Sequence, residues 1–193
     1  MSDYGDLARL GTATVYDAAG HTGLIDLDLM RLVPHSCAAG PARTVMCGQG
    51  DNLMVHAALA QVRPGDVLVI TMPVPEPVAL FGDLMAHQAL AYDVAAVLVD
   101  GAVRDSDELA ELELPVWARW IRVRTSSREL SGTLDEPVVV GGTRICPGDL
   151  VVLDGDGAVA IPAHRVEEVR ARAHAQDESE RETRATLGAE FDY

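Results

Sequence analysis

Lysine is absent from this 193-residue chain, so all fifteen of its basic side chains are arginines. A mechanism that forms a Schiff base on a lysine amine is therefore excluded by inventory. Positive charge is scarce overall. Thirty acids leave a formal net charge of −15 and a pI near 4.6, which argues against a nucleic-acid partner, because phosphate backbones need a basic face. Cysteine is limited to Cys37, Cys47 and Cys146, widely spaced and set in apolar, strand-like contexts. That pattern predicts reduced core thiols in a cytoplasmic protein rather than a disulfide framework. No run approaches the roughly eighteen apolar residues of a membrane span. The opening MSDYGDLARL has neither the basic nor the apolar region of a secretion leader. A soluble, cytoplasmic protein with no membrane partner is the expectation. The histidines and cysteines form no spacing that suits zinc. DGDG at 154–157 lacks the remainder of a calcium loop and reads as a hairpin turn.

What is present is apolar surface: 48% of the residues, enough for one well-buried core. One domain over 1–193 is expected, with a helical tail from about residue 163. Residues 11–19, with Thr14 three before Asp17, read as an opening helix. Ser36–Cys47 reads as a strand broken at Gly40-Pro41. Asp51 then caps a helix holding Leu53, Ala57 and Ala60. Asn52 and His56 lie on that helix, and neither is assigned a catalytic role, a lone helical histidine being ordinarily packed or solvated. RPGDVLVI at 63 and CPGDLVVL at 146 each place Pro-Gly where a type II turn needs them, ahead of an apolar strand. Ser106–Leu112 reads as a short helix, Pro115–Trp120, Val138–Ile145 and Leu150–Val159 as strands. The order implies an α/β fold with strands in more than one layer.

Chemistry concentrates in Gly82–Asp105, GDLMAHQALAYDVAAVLVDGAVRD. Gly82 and Asp83 open a helical run, Val94–Val99 suits a buried strand that ends at Asp100-Gly101, and Arg104 and Asp105 stand at the mouth of the next helix. These are the positions where ligands meet α/β proteins. The amides of Gly82, Asp83, Leu84 and Met85 would suit a carboxylate, and Arg104 could close on the same anion. Asp105 could hold a hard cation such as Mg2+. The plainer reading makes Asp105, with Glu108 three residues on, an N-cap with a capping box, and makes Asp83 ordinary dipole compensation.

Asp83, twenty intervening residues, then Arg104-Asp105, in the context GDL...VLVDGAVRDSDEL, resembles the signature of the metal-dependent 4-hydroxy-4-methyl-2-oxoglutarate aldolases. Their catalytically silent relatives, the regulator of ribonuclease activity A proteins, share the same RraA-like family. GDNLMVHAAL (50–59), RPGDVLVI, LPVWAR (114–119) and CPGDLVVLDGDGAVAIP (146–162) resemble the family in the same order. The resemblance implies a β/β/α swivelling-type domain, assembled as a homotrimer or homohexamer. It implies a lyase that cleaves a 4-hydroxy-2-oxo acid to pyruvate and a second oxo acid, decarboxylates oxaloacetate, or both. On that reading Asp105 holds Mg2+ or Mn2+, Asp83 orients its waters, Arg104 neutralises the developing oxyanion, and the Gly82–Met85 amides anchor the substrate carboxylate. The alternative it carries is a non-catalytic regulator that binds a ribonuclease or another protein. Glu180, with Arg184 four residues on, resembles an aldolase tail in which a glutamate reaches a neighbouring subunit's site. The plain reading is an i,i+4 ion pair on a solvated helix.

Two stretches complete the expectations. TMPVPEPVALF at 71–81 departs from the family's glycine-rich segment, and its Glu76 reads as keeping the loop soluble. Arg119, Arg122, Arg124 and Arg128 form a locally basic run. It would either recognise the distal carboxylate of a dicarboxylic or tricarboxylic substrate or pair with acids on a neighbouring subunit.

Overall fold

A computed structural model of the chain describes residues 4–190, with side chains described as far as Leu187. The leader expectation for MSDYGDLARL and the outer ends of the proposed domain therefore fall partly outside the described residues. Helix α1 (Gly5–Ala18) is followed by strands β1 (Met30–Arg31) and β2 (Ala38–Met46). Helices and strands then alternate: α2 (Leu53–Leu59), β3 (Val67–Thr71), β4 (Ala79–Phe81), α3 (Asp83–Ala91), β5 (Ala96–Val103), α4 (Ser106–Glu111) and β6 (Val116–Ile121). Strand β7 (Thr133–Leu134) precedes two hairpins, β8 (Val138–Val140) with β9 (Thr143–Ile145), and β10 (Leu150–Leu153) with β11 (Ala158–Ile161). A 3-10 turn at Ala163–Arg165 leads into α5 (Val166–Glu190). Among the described residues no helix is long and apolar enough to cross a membrane.

The main sheet runs β1-β6-β5-β3-β2-β10-β11, with β4 added to β5 and β7 to β2. Its β2-β3-β5-β6 centre is parallel. Every residue of β3 and β5 is buried, as expected where a parallel sheet is covered on both faces. One face packs on α2, α3 and α4, with Leu68, Ile70, Val97 and Val99 meeting Leu59, Ala86 and Leu109. On the other, Val69, Leu98 and Trp117 meet β8–β9 and the inner residues of β10–β11. The outer residues of β10 and β11 are covered in turn by α1 and by Val166, Val169 and Ala173 of α5. This is a mixed α/β fold in layers, and its curl comes from β2. That strand pairs with β10 over Ala38–Pro41 and with β3 over Ala42–Met46.

Several expectations need adjustment. Strand β2 is not broken at Gly40-Pro41; it changes partner there, at a residue with no N–H to give to a ladder. Strand β5 does not end at Asp100-Gly101 but continues to Val103. Asp100 can stay in it, 3% exposed, because Arg119 Nη1 donates to Oδ1 at 3.0 Å and Thr71 Oγ1 donates to Oδ2 at 3.2 Å. Helix α1 starts well before Thr14 and is interrupted at Gly11 (φ 86°); the Thr12 amide and hydroxyl bind the Asp154 carboxylate at 2.7 and 2.6 Å. Of the cysteines only Cys47 is core, where burial pushes its thiol up to about 12; Cys37 is exposed.

The two Pro-Gly-Asp turns match each other. Gly65 and Gly148 sit at φ 87° and 84°, and Asp66 and Asp149 accept from the amides of Arg63 and Cys146, both at 2.8 Å. Trp117, 1% exposed, is a core residue whose indole N–H donates to the Asp154 carbonyl at 2.8 Å.

Candidate active site

The carboxyl ends of β4 and β5 lie side by side, and the backbone joins them: the Arg104 amide donates to the Phe81 carbonyl at 3.1 Å. The first turn of α3 and the loop into α4 are thereby fixed against each other. Between them opens a cavity of about 130 Å³ lined by Phe81, Gly82, Asp83, Leu84, Met85, Arg104 and Asp105. All the residues of the 82–105 signature named from sequence meet there.

Asp105 occupies the N-cap position of α4 in a left-handed conformation (φ 56°, ψ 47°), and its side chain makes no capping hydrogen bond. The carboxylate turns back instead. Its Oδ2 accepts from the Asp83 amide at 3.2 Å and stands 3.3 Å from Arg104 Nε. The capping reading thus loses its geometry, and Oδ1 carries no hydrogen bond among the described residues. Gly82 makes this approach possible, since a Cβ there would lie 2.6 Å from Asp105 Oδ2. The Arg104 guanidinium also reaches the Thr125 hydroxyl at 3.4 Å. Of the first-turn amides of α3, Asp83 donates to Asp105 and Met85 to the Gly82 carbonyl at 3.1 Å. The Leu84 amide has no acceptor among the described residues and remains for an anion.

The rest of the cavity lining comes from α2 and the 125–128 segment: Asn52, His56, Thr125, Ser126 and Arg128. Sequence reading left Asn52 and His56 without a site role, yet both line the cavity. Asp51, fully buried, holds these two segments together. Its carboxylate accepts from the Leu53 amide (2.8 Å), the Ser127 hydroxyl (2.7 Å) and the amides of Glu129 (2.6 Å) and Leu130 (3.0 Å). Burial works to raise its pKa, but these four donors outweigh it and hold the carboxyl well below the usual range. His56 is shifted downward by burial and by the nearby charge of Arg128, both of which disfavour the charged ring.

Three arginines of the basic run have partners within the chain. Arg119 binds Asp100, Arg124 stands 3.7 Å from Glu76, and Arg122 donates to the Ile121 carbonyl. Glu76 is therefore more than a solubilising residue. It also accepts from Gln49 Nε2 at 2.9 Å, and Gln49 brackets Val74 through its amide and carbonyl, pinning the proline-rich loop. Glu180 accepts from Gln176 (3.1 Å) and from Arg184 (2.6 Å) along its own helix.

No cluster of three or more histidine, cysteine or carboxylate side chains suited to a metal occurs among the described residues. The donor set still fits a hard cation that keeps much of its water and needs only one or two carboxylates. Asp105 offers an uncommitted oxygen, and the absence of a side chain at Gly82 leaves its flank open.

The sequence profile of the RraA-like family, described as Aldolase/RraA, matches residues 12–160. The chain belongs to this family. A relative from Halalkalibacterium halodurans named "Putative 4-hydroxy-4-methyl-2-oxoglutarate aldolase" is 38% identical over 134 residues. The match spans 69% of this chain and 64% of that relative's length, just under two thirds. Two solved structures extend the likeness to the fold. Streptomyces coelicolor RraAS2, described as an unusual member of the RNase ES inhibitor RraA protein family, gives a TM-score of 0.78 at 28% identity over 93% of this chain and 96% of that one. The RNA-processing inhibitor RraA from Thermus thermophilis gives 0.65 at 30% identity over 69% and 81%. The RraA-like match takes in every residue of the 82–105 signature and stops short of α5.

Proposed function

We propose that this RraA-like chain is a divalent-metal-dependent lyase that cleaves a 4-hydroxy-2-oxo acid to pyruvate and a second oxo acid, and decarboxylates oxaloacetate by the same route. The observation that carries the reading is the Asp105 carboxylate, turned from its cap position into the cavity beside Arg104 at the mouth of α3. The name of the H. halodurans relative supports it.

The substrate carboxylate would sit at the first turn of α3, where the free Leu84 amide and the helix dipole favour an anion. In the cleavage step a water in the cavity takes the proton of the C4 hydroxyl, and C4 becomes the carbonyl of the departing oxo acid. The C3–C4 bond breaks, and its electron pair moves toward C2 and the 2-oxo oxygen. Arg104 neutralises the charge growing on that oxygen. Protonation at C3 completes pyruvate. In oxaloacetate the departing fragment is CO2, and the charge develops on the same atoms. Mg2+ or Mn2+ held by Asp105, with Asp83 beside it, would supply Lewis-acid stabilisation of that charge.

Apolar side chains stand exposed beside the cavity, Leu84 at 76% and Val123 at 90%, which supports assembly into a trimer or hexamer that covers them. A soluble, cytoplasmic enzyme acting on a small oxo acid is part of the same reading.

The test is pyruvate formation from oxaloacetate and from a 4-hydroxy-2-oxo acid with Mg2+, with Mn2+ and with a chelator. Turnover that requires the metal is expected. Absence of turnover under every condition would favour the second reading, a regulator that binds a ribonuclease, which the names of the S. coelicolor and T. thermophilis relatives support.

A further inference from the structure

We infer that Thr125 is a positioning residue for Arg104, holding the outer end of its guanidinium while Asp105 holds the inner nitrogen, and that the buried Asp51 keeps Thr125 in place. The inference rests on the lyase reading for what Arg104 does, and on geometry for how Arg104 is held.

The first observation concerns Arg104 itself. Its side chain is 42% exposed, and a long side chain on an open cavity wall has many rotamers to lose. A guanidinium that is to meet charge as it develops must already be in place, because such stabilisation depends on preorganised donors. Two contacts supply that order. Nε stands 3.3 Å from Asp105 Oδ2, and Nη1 donates to the Thr125 hydroxyl at 3.4 Å. Asp105 alone would fix one nitrogen and leave the rest of the group free to swing about it.

The second observation is that Thr125 owes its place to distant contacts. It lies in the stretch between β6 and β7, outside any helix or named strand. On one side Ala79 of β4 bridges to it, the Ala79 amide donating to the Arg124 carbonyl at 2.8 Å. On the other, the Ser127 amide donates to the Gly50 carbonyl and the Asn52 amide to the Ser127 carbonyl, both at 3.0 Å. Thr125 is thus laid between β4, which leads into α3, and the turn ahead of α2.

The third observation is Asp51, a fully buried carboxylate, which is costly unless its oxygens are met by donors. The Ser127 hydroxyl and the amides of Glu129 and Leu130 meet them from the segment just past Thr125, and the Leu53 amide from α2. Arg104 is not among its partners. The effect of Asp51 on Arg104 therefore passes through Ser127 and Thr125.

The test uses oxalate, an uncleaved probe whose adjoining carboxylates carry two oxygens placed like those of a pyruvate enolate. Its binding is measured by calorimetry with Mg2+, beside pyruvate formation from oxaloacetate. Thr125→Val, at an exposed position, removes the hydroxyl without touching the core. It should lower kcat and oxalate affinity about tenfold each, with the melting temperature and the Mg2+ concentration for half-maximal turnover unchanged. Thr125→Ser should retain both. In an Arg104→Ala background Thr125→Val should weaken oxalate no further, because the two residues act as one unit. Asp51→Asn, or Ser127→Ala should the former not fold, should give part of the same loss. Asp149→Asn, which removes a buried carboxylate at the turn before β10, should not; an equal loss there would return Asp51 to a purely structural role. Full kcat and oxalate affinity in Thr125→Val, an equal loss in the Arg104→Ala background, or failure of serine to substitute would overturn the positioning. Oxalate binding that depends on Thr125 through Arg104 in a protein that forms no pyruvate would uphold the positioning and sink the lyase reading. Turnover without that dependence would do the reverse, and a wild type that neither binds oxalate nor forms pyruvate would sink both.

Discussion

Replacing Asp105 by asparagine separates a structural carboxylate from a metal-binding one, and the structure sets the size of each effect. The left-handed backbone at φ 56° costs asparagine little, because it tolerates this region better than most residues. No capping bond is lost, since none is made. The amide oxygen can still accept from the Asp83 N–H. What disappears from the fold is the ion pair with Arg104, whose two side chains are 42% and 30% exposed, and such a pair contributes at most about 1 kcal/mol. Thermal unfolding in the presence of a chelator should therefore shift by only a few degrees, as about 1 kcal/mol does in a small domain. A hard cation, by contrast, loses its charged ligand. The Mg2+ concentration for half-maximal pyruvate formation should rise at least tenfold, equivalent to about 1.4 kcal/mol. A variant that unfolds much earlier while its metal dependence is unchanged would refute the argument and make Asp105 a structural residue.

Three further outcomes follow from the same geometry. Arg104→Lys should lower kcat/KM for pyruvate formation about a hundredfold, near 3 kcal/mol, because lysine cannot engage Asp105 through one nitrogen and Thr125 through another; near-wild-type turnover would remove Arg104 from the mechanism. Asp51 has a folded pKa held below its unfolded value of about 3.9, so its contribution to stability is full above that value and lost as pH falls through the folded one. In acid titrations Asp51→Asn should therefore flatten the stability slope below about pH 4, by up to about 1.4 kcal/mol per pH unit; an unchanged slope, once the parallel contribution of Asp6 is allowed for, would show that Asp51 is not held ionised. A chain ending at Gln176 keeps Val166, Val169 and Ala173 and should fold. If Glu180 serves a neighbouring subunit it should lose turnover and regain some after subunit exchange with Arg104→Ala protein; activity in the truncated protein alone would make the tail a solvated end.

The parts of the fold that could be read from sequence are those whose causes are local. The two Pro-Gly-Asp turns needed only a residue able to take positive φ and an acid three positions after the donor, and both formed as read. The stripe of Val166, Val169 and Ala173 placed α5 on the sheet by helical spacing alone. The errors came where a distant partner changed the meaning of a residue. Asp100 followed by glycine reads as a strand end, since an unpaired carboxylate does not remain in a buried sheet. Arg119 and Thr71, on the neighbouring strands, supply the partners that let it remain. Gly40-Pro41 reads as a break, but the strand continues because it exchanges one partner for another at the proline.

The same distinction divides the candidate site. Gly82, Asp83, Arg104 and Asp105 were legible because parallel strands deliver helix starts and loop residues to one edge of a sheet, so a short signature already implies their proximity. His56 has no such local mark, and the basic run of Arg119, Arg122, Arg124 and Arg128 suggested a carboxylate site without showing that only Arg128 of the four lines the cavity. Asp51 looks like a helix cap in sequence, and it does accept from the Leu53 amide. Its other three donors lie 76, 78 and 79 residues away, a separation no periodicity encodes. Once those bonds are known, the order of causes reverses: Asp51 is buried and its carboxyl held ionised because the 127–130 segment surrounds it with donors, and that segment is in turn tied to α2 by its three bonds to Asp51. The backbone of Arg128 lies between two of those donors, Ser127 and Glu129. A signature can thus name the groups of a site while the hold on them depends on long-range contacts that form only with the fold.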